Sequence, residues 1–467
     1  NTGTVGNVTN AGDFTNSGTT GTVTNTGTFA NNGGTTGSMT NSGTLTNDST
    51  GTIADLTNTG TATNDGTITG DINNTGGFTN NGTGGNVTYN NYVVTNNGTL
   101  GNVSSVGTFN NNGTANDVTN GGDFNNANGA TVASLTNTGS ATNDGTITGS
   151  VTNTTGTFTN NGTTGSWTNS DTIVNSGTMG NGINYAGATF TNNSAGTVGD
   201  VTNSGTFTNA GTTGTFTNSG TADNNGGTMG DVTNSTGGTF TNWVNSVVAS
   251  LTNDTTATND GTITGSVTNN GTFTNTGTAG DWTNTSTLTN SGTLGNGTNS
   301  GTMTMTAGNV GTVNNSGTFG LSGGTTGVIT NSGTLNYTGG TVDSISNTGT
   351  YNVTGAGNNI ALNGYTQGTN GTTIMNIAPN GSQLFTVSGP ASLGGTLQLD
   401  AASGPYSYGR IPLLAANSVN GQYDTLTLNP DNISPLGYEL VYSGNDVKLS
   451  VTPNSAATVQ GINAIAA

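Results

Sequence analysis

The chain has 467 residues, with 82 glycines, no cysteine and no histidine, and 21 acidic against two basic residues give it a net charge of −19. Arg410 and Lys448 are the only basic side chains, so the composition excludes a basic surface for nucleic acid. The lack of Cys and His excludes disulfides, Cys/His zinc sites and thiol or histidine catalysis. The sequence also lacks a run of about 18 apolar residues, so it predicts no helix that spans a bilayer.

A repeat of about 16 residues runs from position 7 to position 359. The unit at 55–70 reads DLTNTGTATNDGTITG, and the unit at 134–149 differs from it at only two positions. About 22 such units fit this region, which is typical of a solenoid with one unit per coil. The chain begins within this pattern at Asn1 without a signal peptide, which predicts a processed or trimmed product.

Three apolar positions recur in each unit, and stacking the units aligns them in three columns. Turns of the type Asn-Ser-Gly or Asn-Asp-Gly separate them, because Gly and Asn accept positive φ, and alternation in short strands points each column residue inward. The columns are Val8, Val23, Met39, Leu56, Ile72, Val87, Val103, Val118, Leu135, Val151, Trp167, Val201, Phe216, Val232, Leu251, Val267, Trp282, Val313, Ile329 and Ile345, with interruptions at Gly182 and Gly297; Phe14, Phe29, Leu45, Ala62, Phe78, Phe109, Phe124, Ala141, Phe158, Ile173, Phe190, Phe207, Ala222, Phe240, Ala257, Phe273 and Leu288, onward to Tyr351; and Ile53, Ile68, Leu100, Val132, Ile147, Met179, Val198, Met229, Val248, Ile263, Leu294 and Val342.

These columns predict an all-β fold, a single-stranded parallel β-helix of triangular section with an irregular C-terminal β cap. About 22 coils stacked at about 4.8 Å would give a rod roughly 105 Å long. Side-chain volumes within a unit support a shared, close-packed interior. A small middle residue accompanies a large third one, as in Ala62 with Ile68, and Phe109 accompanies the small Ala115. The same exchange recurs in Ala141 with Ile147, Ala257 with Ile263, Phe158 with Thr164 and Phe273 with Ala279, and fails in Phe124 with Val132, Phe190 with Val198 and Phe240 with Val248, which lie in longer units.

The repeat dissolves after about Ile360, which divides the chain into a repeat region, 1–359, and a C-terminal capping segment, 360–467. Pro, Leu and Tyr become denser there, and the segment holds both basic residues and the only glutamate, Glu439. We expect this segment to cover the open end of the solenoid and to be the most stable part of the chain. Its predicted strands are 383–387, 396–399, 410–414, 425–428, 438–442 and 447–451.

Four short motifs in this segment resemble the C-terminal end of autotransporter passenger domains of Gram-negative bacteria. They are GTLQL at 395–399, IPLLAA at 411–416, VNGQY at 419–423 and NDVKL at 445–449, within a resemblance that covers about residues 380–452. The resemblance implies a right-handed β-helix that is exported through the outer membrane by a C-terminal barrel, and an end segment that assists folding during export. It also implies an extracellular or surface-exposed location, with the barrel beginning beyond Ala467.

Catalytic chemistry finds little support in the residues. The aspartates are scattered through turns, the Gly-Asp-Ser-Gly motif of serine-protease passengers is absent, and the repeat region has no Lys or Arg to serve as a lyase base. We therefore predict a non-enzyme without catalytic, cofactor-binding or metal-binding residues. A polysaccharide-active β-helical enzyme with paired carboxylates stays open as an alternative.

Calcium binding is a second alternative, because six units begin with aspartate. Other units carry Ser, Asn or Thr at that position, which favours a short polar side chain that bonds the turn backbone. The calcium-binding nonapeptide Gly-Gly-x-Gly-x-Asp does not recur, so calcium is the less favoured interpretation. The six aspartates are Asp55, Asp71, Asp117, Asp200, Asp231 and Asp281.

Threonine pairs flank many residues of the middle column and point outward on one face. Such a face is like that of ice-binding β-helices, although Thr is also a simple soluble strand former and residues such as Asp13 and Val174 interrupt the rows. The preferred prediction is a secreted structural or adhesive rod whose partners are surface glycans, copies of itself or both. The pairs are Thr44 and Thr46, Thr61 and Thr63, Thr157 and Thr159, Thr189 and Thr191, Thr206 and Thr208, Thr272 and Thr274, Thr287 and Thr289, and Thr302 and Thr304.

Overall fold

A computed structural model of the protein describes residues 1–353, 360–379, 381–382, 384–429 and 436–453. These residues form β-strands without any helix, so no helix that could cross a membrane is found among them. The strands build a parallel β-solenoid of about 22 turns with a spacing of about 16 residues, which confirms the predicted fold class. The chain divides into two compact units, which are Asn1–Val232 with Gly237–Phe240, and Thr233–Thr236 with Thr241–Ala467.

Most coils of the first unit have three short strands, which define three faces of the solenoid, and one coil has only isolated bridges at Thr83 on its third face. First-face strands carry the first apolar column, second-face strands the middle column and third-face strands the third column. The first-face strands are Val8–Asn10, Val23–Asn25, Met39–Asn41, Leu56–Asn58, Ile72–Asn74, Val87–Asn90, Val103–Ser105, Val151–Asn153, Trp167–Asn169, Gly182–Asn184, Val201–Asn203 and Phe216–Asn218. The second-face strands are Asp13–Asn16, Thr28–Asn31, Thr44–Asn47, Thr61–Asn64, Gly77–Asn80, Val93–Asn96, Thr108–Asn111, Asp123–Asn126, Ser140–Asn143, Thr157–Asn160, Thr172–Asn175, Thr189–Asn192, Thr206–Asn209 and Thr221–Asn224.

The third face is the narrowest; its first five strands form a sheet of their own, and its later strands share a sheet with the first face. In two coils of the first unit its strand continues into the first face without a break, as Thr114–Asn120 and Thr131–Asn137. The separate third-face strands are Thr4–Val5, Thr19–Thr20, Thr35–Thr36, Thr52–Ile53, Thr67–Ile68, Thr99–Leu100, Thr146–Ile147, Thr163–Thr164, Thr178–Met179, Thr197–Val198 and Thr212–Thr213. Two further strands, Thr228–Asn234 and Thr239–Asn242, contain residues of both units.

The second unit continues the same three-strand plan. Its first-face strands are Val267–Asn269, Trp282–Asn284, Gly297–Asn299 and Val313–Asn315. Its second-face strands are Thr256–Asn259, Thr272–Asn275, Thr287–Asn290, Thr302–Met305, Thr318–Leu321, Thr334–Tyr337 and Thr350–Val353. Its third-face strands are Thr262–Ile263, Thr278–Ala279, Thr293–Leu294 and Asn309–Val310, and three longer strands join the third and first faces, which are Val247–Asn253, Thr325–Asn331 and Thr341–Asn347.

The apolar columns form the core, as the repeat predicts. Every column residue named above is buried except Val8 and Phe14 in the first coil, which are partly exposed. Both members of the pairs that exchange side-chain volume are buried in the core. Ala62 and Ile68 are each 1% exposed, and Phe109 and Ala115 are 0% and 2% exposed. The structure adds Val94, which pairs with Phe78 and with Phe109 and fills the middle column between them.

Parallel stacking does not stop where the 16-residue repeat dissolves. Thr350 pairs in parallel with Thr372, Thr372 with Thr396, and Thr396 with Thr425, so the coils lengthen while the ladder of strands continues. The chain then reverses, and Asp446–Pro453 pairs antiparallel with both Gly409–Gly421 and Leu436–Tyr442. The further strands are Ile360–Gln367, Thr372–Ala378, Gly381–Ser382, Phe385–Leu393, Thr396–Ala401 and Thr425–Asn429.

Strands occur at all six predicted positions of the C-terminal segment, although the observed strands are longer. Residues 354–359 and Gln383, at the predicted boundary and in the first predicted strand, lie outside the described residues. The division at 359/360 and the exceptional stability of the cap stay predictions.

Candidate functional site

Two columns of asparagine lie inside the solenoid beside the apolar columns. Each asparagine ends a first-face or second-face strand, two residues after the column residue, so strand alternation turns both side chains inward. Sequence analysis assigned these residues to turns, and the structure corrects that interpretation, because nearly all of them are completely buried. The first-face ladder of the first unit is Asn10, Asn25, Asn41, Asn58, Asn74, Asn90, Ser105, Asn120, Asn137, Asn153, Asn169, Asn184, Asn203 and Asn218, and its second-face ladder is Asn16, Asn31, Asn47, Asn64, Asn80, Asn96, Asn111, Asn126, Asn143, Asn160, Asn175, Asn192, Asn209 and Asn224.

Hydrogen bonds between side-chain amides join successive coils. Asn203 is representative: its Nδ2 donates to Oδ1 of Asn218 in the next coil at 2.8 Å. The same Nδ2 lies 3.1 Å from the carbonyl oxygens of Gly205 and Thr221. Each side-chain amide therefore forms hydrogen bonds with backbone carbonyl groups of two coils as well as with the next amide in the ladder. These bonds offset the free-energy cost of burying the amide.

The second-face ladder changes character within the second unit. Asn242, Asn259, Asn275 and Asn290 continue it, and then apolar residues take the position. Met305, Leu321, Tyr337 and Val353 occupy the same register and are buried. The first-face ladder of this unit persists instead to Asn347 and is followed by the buried Gln367, whose Nε2 donates to the carbonyl oxygens of Gly371, Gly394 and Thr396.

Threonine hydroxyls form regular rows on the outside of the second face. In the second unit, Thr256, Thr272, Thr287 and Thr302 are in register on four successive coils, and the residues two positions later are also threonines. The threonines of the first row are exposed. Four coils thus carry an unbroken double row of hydroxyl groups. The second row is Thr258, Thr274, Thr289 and Thr304.

Five of the six aspartates that begin units form hydrogen bonds between neighbouring coils. Oδ1 of Asp55 accepts a hydrogen bond from the backbone N–H of Asp71 at 3.1 Å, and Oδ1 of Asp281 accepts one from that of Asn296 at 2.9 Å. Ser134 donates to Asp117 at 2.6 Å. The prediction that these side chains form hydrogen bonds with the backbone of turns is confirmed for Asp55 and Asp281. In both cases the backbone N–H group belongs to the next coil.

Metal-binding geometry does not emerge from these aspartates. Within the described ranges, no group of three or more His, Cys, Asp or Glu side chains could hold a metal ion. The predicted lack of a cofactor and the calcium alternative both stay predictions.

A single ion pair joins Lys448 and Asp446 in the described part of the chain. Nζ of Lys448 donates a hydrogen bond to Oδ2 of Asp446 at 2.6 Å, and this bond is the main cause of the lowered pKa of Asp446.

An open groove lies on the first face of the first unit. It has a volume of about 470 Å³. Two rows of outward side chains border it, one at the start of each first-face strand and one two residues later. The first row is Ser150, Ser166, Asn181, Asp200 and Thr215, and the second is Thr152, Thr168, Ile183, Thr202 and Thr217.

Trp167 and Gly182 lie at the centre of the groove floor. The two residues pair in register, and a Cβ atom on Gly182 would lie 2.2 Å from Cδ2 and Cε2 of the indole, so only glycine fits there. The indole is 2% exposed, and its Nε1 donates to the carbonyl oxygen of Gly180 at 2.9 Å. The interruption of the first column at Gly182 therefore makes room for a side chain that belongs to the preceding coil.

Neither a protein-family model nor a curated protein matches this sequence.

Proposed function

We propose that this chain is a non-enzymatic extracellular β-solenoid of the autotransporter-passenger type, with a structural and adhesive role at or near a bacterial surface. The observation that carries the proposal is the double row of threonine hydroxyls on the second face. The likeness of 395–399, 411–416, 419–423 and 445–449 to passenger C-termini supports the cellular location.

Hydroxyl rows suit adhesion to neutral, hydroxyl-rich polymers. Each Thr hydroxyl both donates and accepts, and neighbouring coils repeat it every 4.8 Å or so. Charged residues make up 5% of the sequence, so binding to such a surface costs little desolvation of charge. Many weak contacts along one face add up when they act together.

Self-association is the second arm of this proposal. The strands Thr4–Val5, Val8–Asn10 and Asp13–Asn16 pair with the following coil. Val5 is 40% exposed and Phe14 is partly exposed in the described structure, and such apolar surface can pack against a second copy of the chain.

A direct test uses the purified full chain. We expect it to adsorb to immobilised neutral polysaccharides or to bacterial cells, without any turnover of the polysaccharide, and to appear in electron micrographs as single particles or as filaments. A chain that adsorbs to none of these surfaces and stays monomeric would contradict the adhesive role, and release of sugar fragments would favour the enzyme alternative.

Ice binding is a second candidate, favoured by the same four-coil array from Thr256 to Thr304. A flat double row of hydroxyls is the kind of surface that can order water at a crystal face. Replacing Thr272 and Thr287 with lysine would abolish thermal hysteresis if this array binds ice, whereas the same change at Thr163 and Thr178 on the third face would not. Lack of thermal hysteresis in the parent chain would remove this candidate.

A further inference from the structure

We infer that the groove centred on Trp167 and Gly182 is a binding site for a neutral oligosaccharide segment of a glycan chain. The inference rests on the proposed adhesive function and assigns it a specific site on the first unit. Five coils at about 4.8 Å each make the groove about 20 Å long, enough for a short oligosaccharide.

Ile183 distinguishes its coil from the other coils of the groove. It stands in register between Thr168 and Thr202, and it is 37% exposed where the neighbouring coils carry hydroxyl groups. It gives the groove one apolar contact area between rows of polar side chains. An apolar patch among hydroxyl groups suits a pyranose ring, which has one C–H face and a rim of hydroxyls.

Tyr185 lies two residues after Ile183, just beyond the residues that line the groove. It is 46% exposed and begins a turn in which the backbone N–H of Ala188 donates to its carbonyl oxygen, with Gly187 at a φ of 84°. The turn lies where the first-face strand Gly182–Asn184 ends. A tyrosine there can stack on a sugar ring and donate a hydrogen bond through its hydroxyl.

Asp200 and Asn181 supply polar groups on one side of the groove. Oδ1 of Asn181 accepts from the backbone N–H of Asp200 at 2.8 Å, and Oδ1 of Asp200 accepts from that of Thr215 at 2.9 Å. Oδ2 of Asp200 lies 3.5 Å from Nδ2 of Asn181. Hydrogen bonds from the hydroxyl and the backbone of Thr215 lower the pKa of Asp200. The carboxylate is thus held in place beside the groove, where it can accept hydrogen bonds from sugar hydroxyls.

The chemistry of the groove favours a neutral glycan over other polymers. Asp200 is its only charged residue and the chain carries a net charge of −19, so an anionic polymer would be repelled. An extended peptide would need free backbone groups for strand addition. The backbone of these first-face strands already pairs with the coils on both sides, which leaves the side chains as the contact groups.

The test compares the full chain with variants that restore the repeat pattern. In the double variant Ile183→Thr/Tyr185→Thr, the backbone of the groove is kept, but the exposed isoleucine and the tyrosine just beyond the groove are lost. Val328→Thr is the matched control, because Val328 is also an exposed apolar residue, 37% accessible, in the second unit. Circular dichroism and urea unfolding check that all variants fold alike.

Calorimetry with hexasaccharides of β-1,4-glucan, β-1,4-xylan, α-1,4-glucan and mannan measures binding, with an oligogalacturonate and hexalysine as charged probes. We expect one neutral probe to bind the parent and the control equally, to bind the double variant at least tenfold more weakly, and to bind Asp200→Asn several-fold more weakly.

Three results would overturn the assignment in different ways. Equal affinity of the parent and the double variant would show that the glycan binds at another site, while the adhesive function would still hold. No binding of any neutral probe would overturn the site, and the adsorption assay with cells would then decide whether the adhesive function fails as well. Hexalysine binding that Asp200→Asn abolishes would assign the groove to cationic peptides.

Discussion

Gly297 lies directly against the indole of Trp282, one coil earlier in the second unit. The two residues pair in register, and a Cβ atom on Gly297 would lie 2.2 Å from Cδ2 of the ring. Nε1 of Trp282 donates to the carbonyl oxygen of Gly295 at 3.1 Å. The same arrangement joins Trp167 and Gly182 in the first unit, so tryptophan in the first column requires glycine on the next coil.

This dependence predicts strong coupling between the two positions. Gly297→Val should destabilise the second unit by about 2–3 kcal/mol through overpacking, and Trp282→Val should cost about 3–5 kcal/mol through an unfilled cavity. The double variant places valine next to valine, as in ordinary coils, so it should be more stable than the sum of the single changes by at least about 2 kcal/mol. Urea unfolding followed by circular dichroism measures all three.

Gly320→Val is the control for this cycle. The nearest atom to a Cβ on Gly320 would be the carbonyl oxygen of Met303, at 3.8 Å, so the change should alter stability by less than about 0.5 kcal/mol. Additive effects of Trp282→Val and Gly297→Val would contradict the proposed packing.

The buried amide ladder predicts a large effect of a nearly isosteric change. Asn203→Asp keeps the shape but removes the donor to Asn218, and it places a carboxyl group where the side chain is 0% exposed. We expect a loss of about 3 kcal/mol from the orphaned acceptors and the buried acid. Asn225→Asp, on an exposed residue of the same unit, should change stability by less than about 0.5 kcal/mol. Equal thermal unfolding of the two variants would show that the ladder does not contribute.

Tyr351 offers a change that should stabilise the protein. Its side chain is 0% exposed, its hydroxyl has no hydrogen-bond partner among the residues that the structure describes, and its ring meets Phe385 edge to face at 5.9 Å. Tyr351→Phe keeps the ring and removes the unsatisfied hydroxyl, so stability should rise by about 1 kcal/mol. Tyr337→Phe is the opposite control, because the Tyr337 hydroxyl donates to the carbonyl oxygen of Gly340 at 2.5 Å and its loss should destabilise. Urea unfolding of both variants gives the signs, and a loss of stability in Tyr351→Phe would refute the prediction.

Buried tyrosines predict alkaline unfolding of the second unit. Burial is the main cause that raises the pKa of Tyr351, Tyr365 and Tyr423 above the ordinary value of 10.0. Because the pKa is higher in the folded state, ionisation favours the unfolded chain. The stabilisation is therefore complete below pH 10 and declines as the pH rises above it.

Tyrosinate absorbance and circular dichroism, recorded together from pH 9 upward, test this. The buried tyrosines should ionise only as second-unit structure is lost. Full ionisation near pH 10 with unchanged circular dichroism would contradict the burial of these hydroxyls.

The placement of asparagine shows where sequence reasoning stopped short. The pattern Val-Thr-Asn places valine inward and threonine outward, and the same alternation turns asparagine inward again. Turn propensity suggested the opposite, because Asn favours turns. The sequence did contain a signal, since this position is Asn in nearly every unit, whereas the position after it varies widely, with Ser, Thr, Asn, Asp, Ala, Tyr and Trp among its residues.

The repeat by itself determined the coil, the three apolar columns and the volume exchange between residues such as Ala62 and Ile68, because these depend on local alternation and on packing within one coil. Only the tertiary structure decided which residues meet between coils. The contact of Trp167 with Gly182, the bond from Asn203 to Asn218 and the groove beside Ile183 depend on the register of neighbouring coils, and a coil length that varies from unit to unit hides that register in the linear sequence.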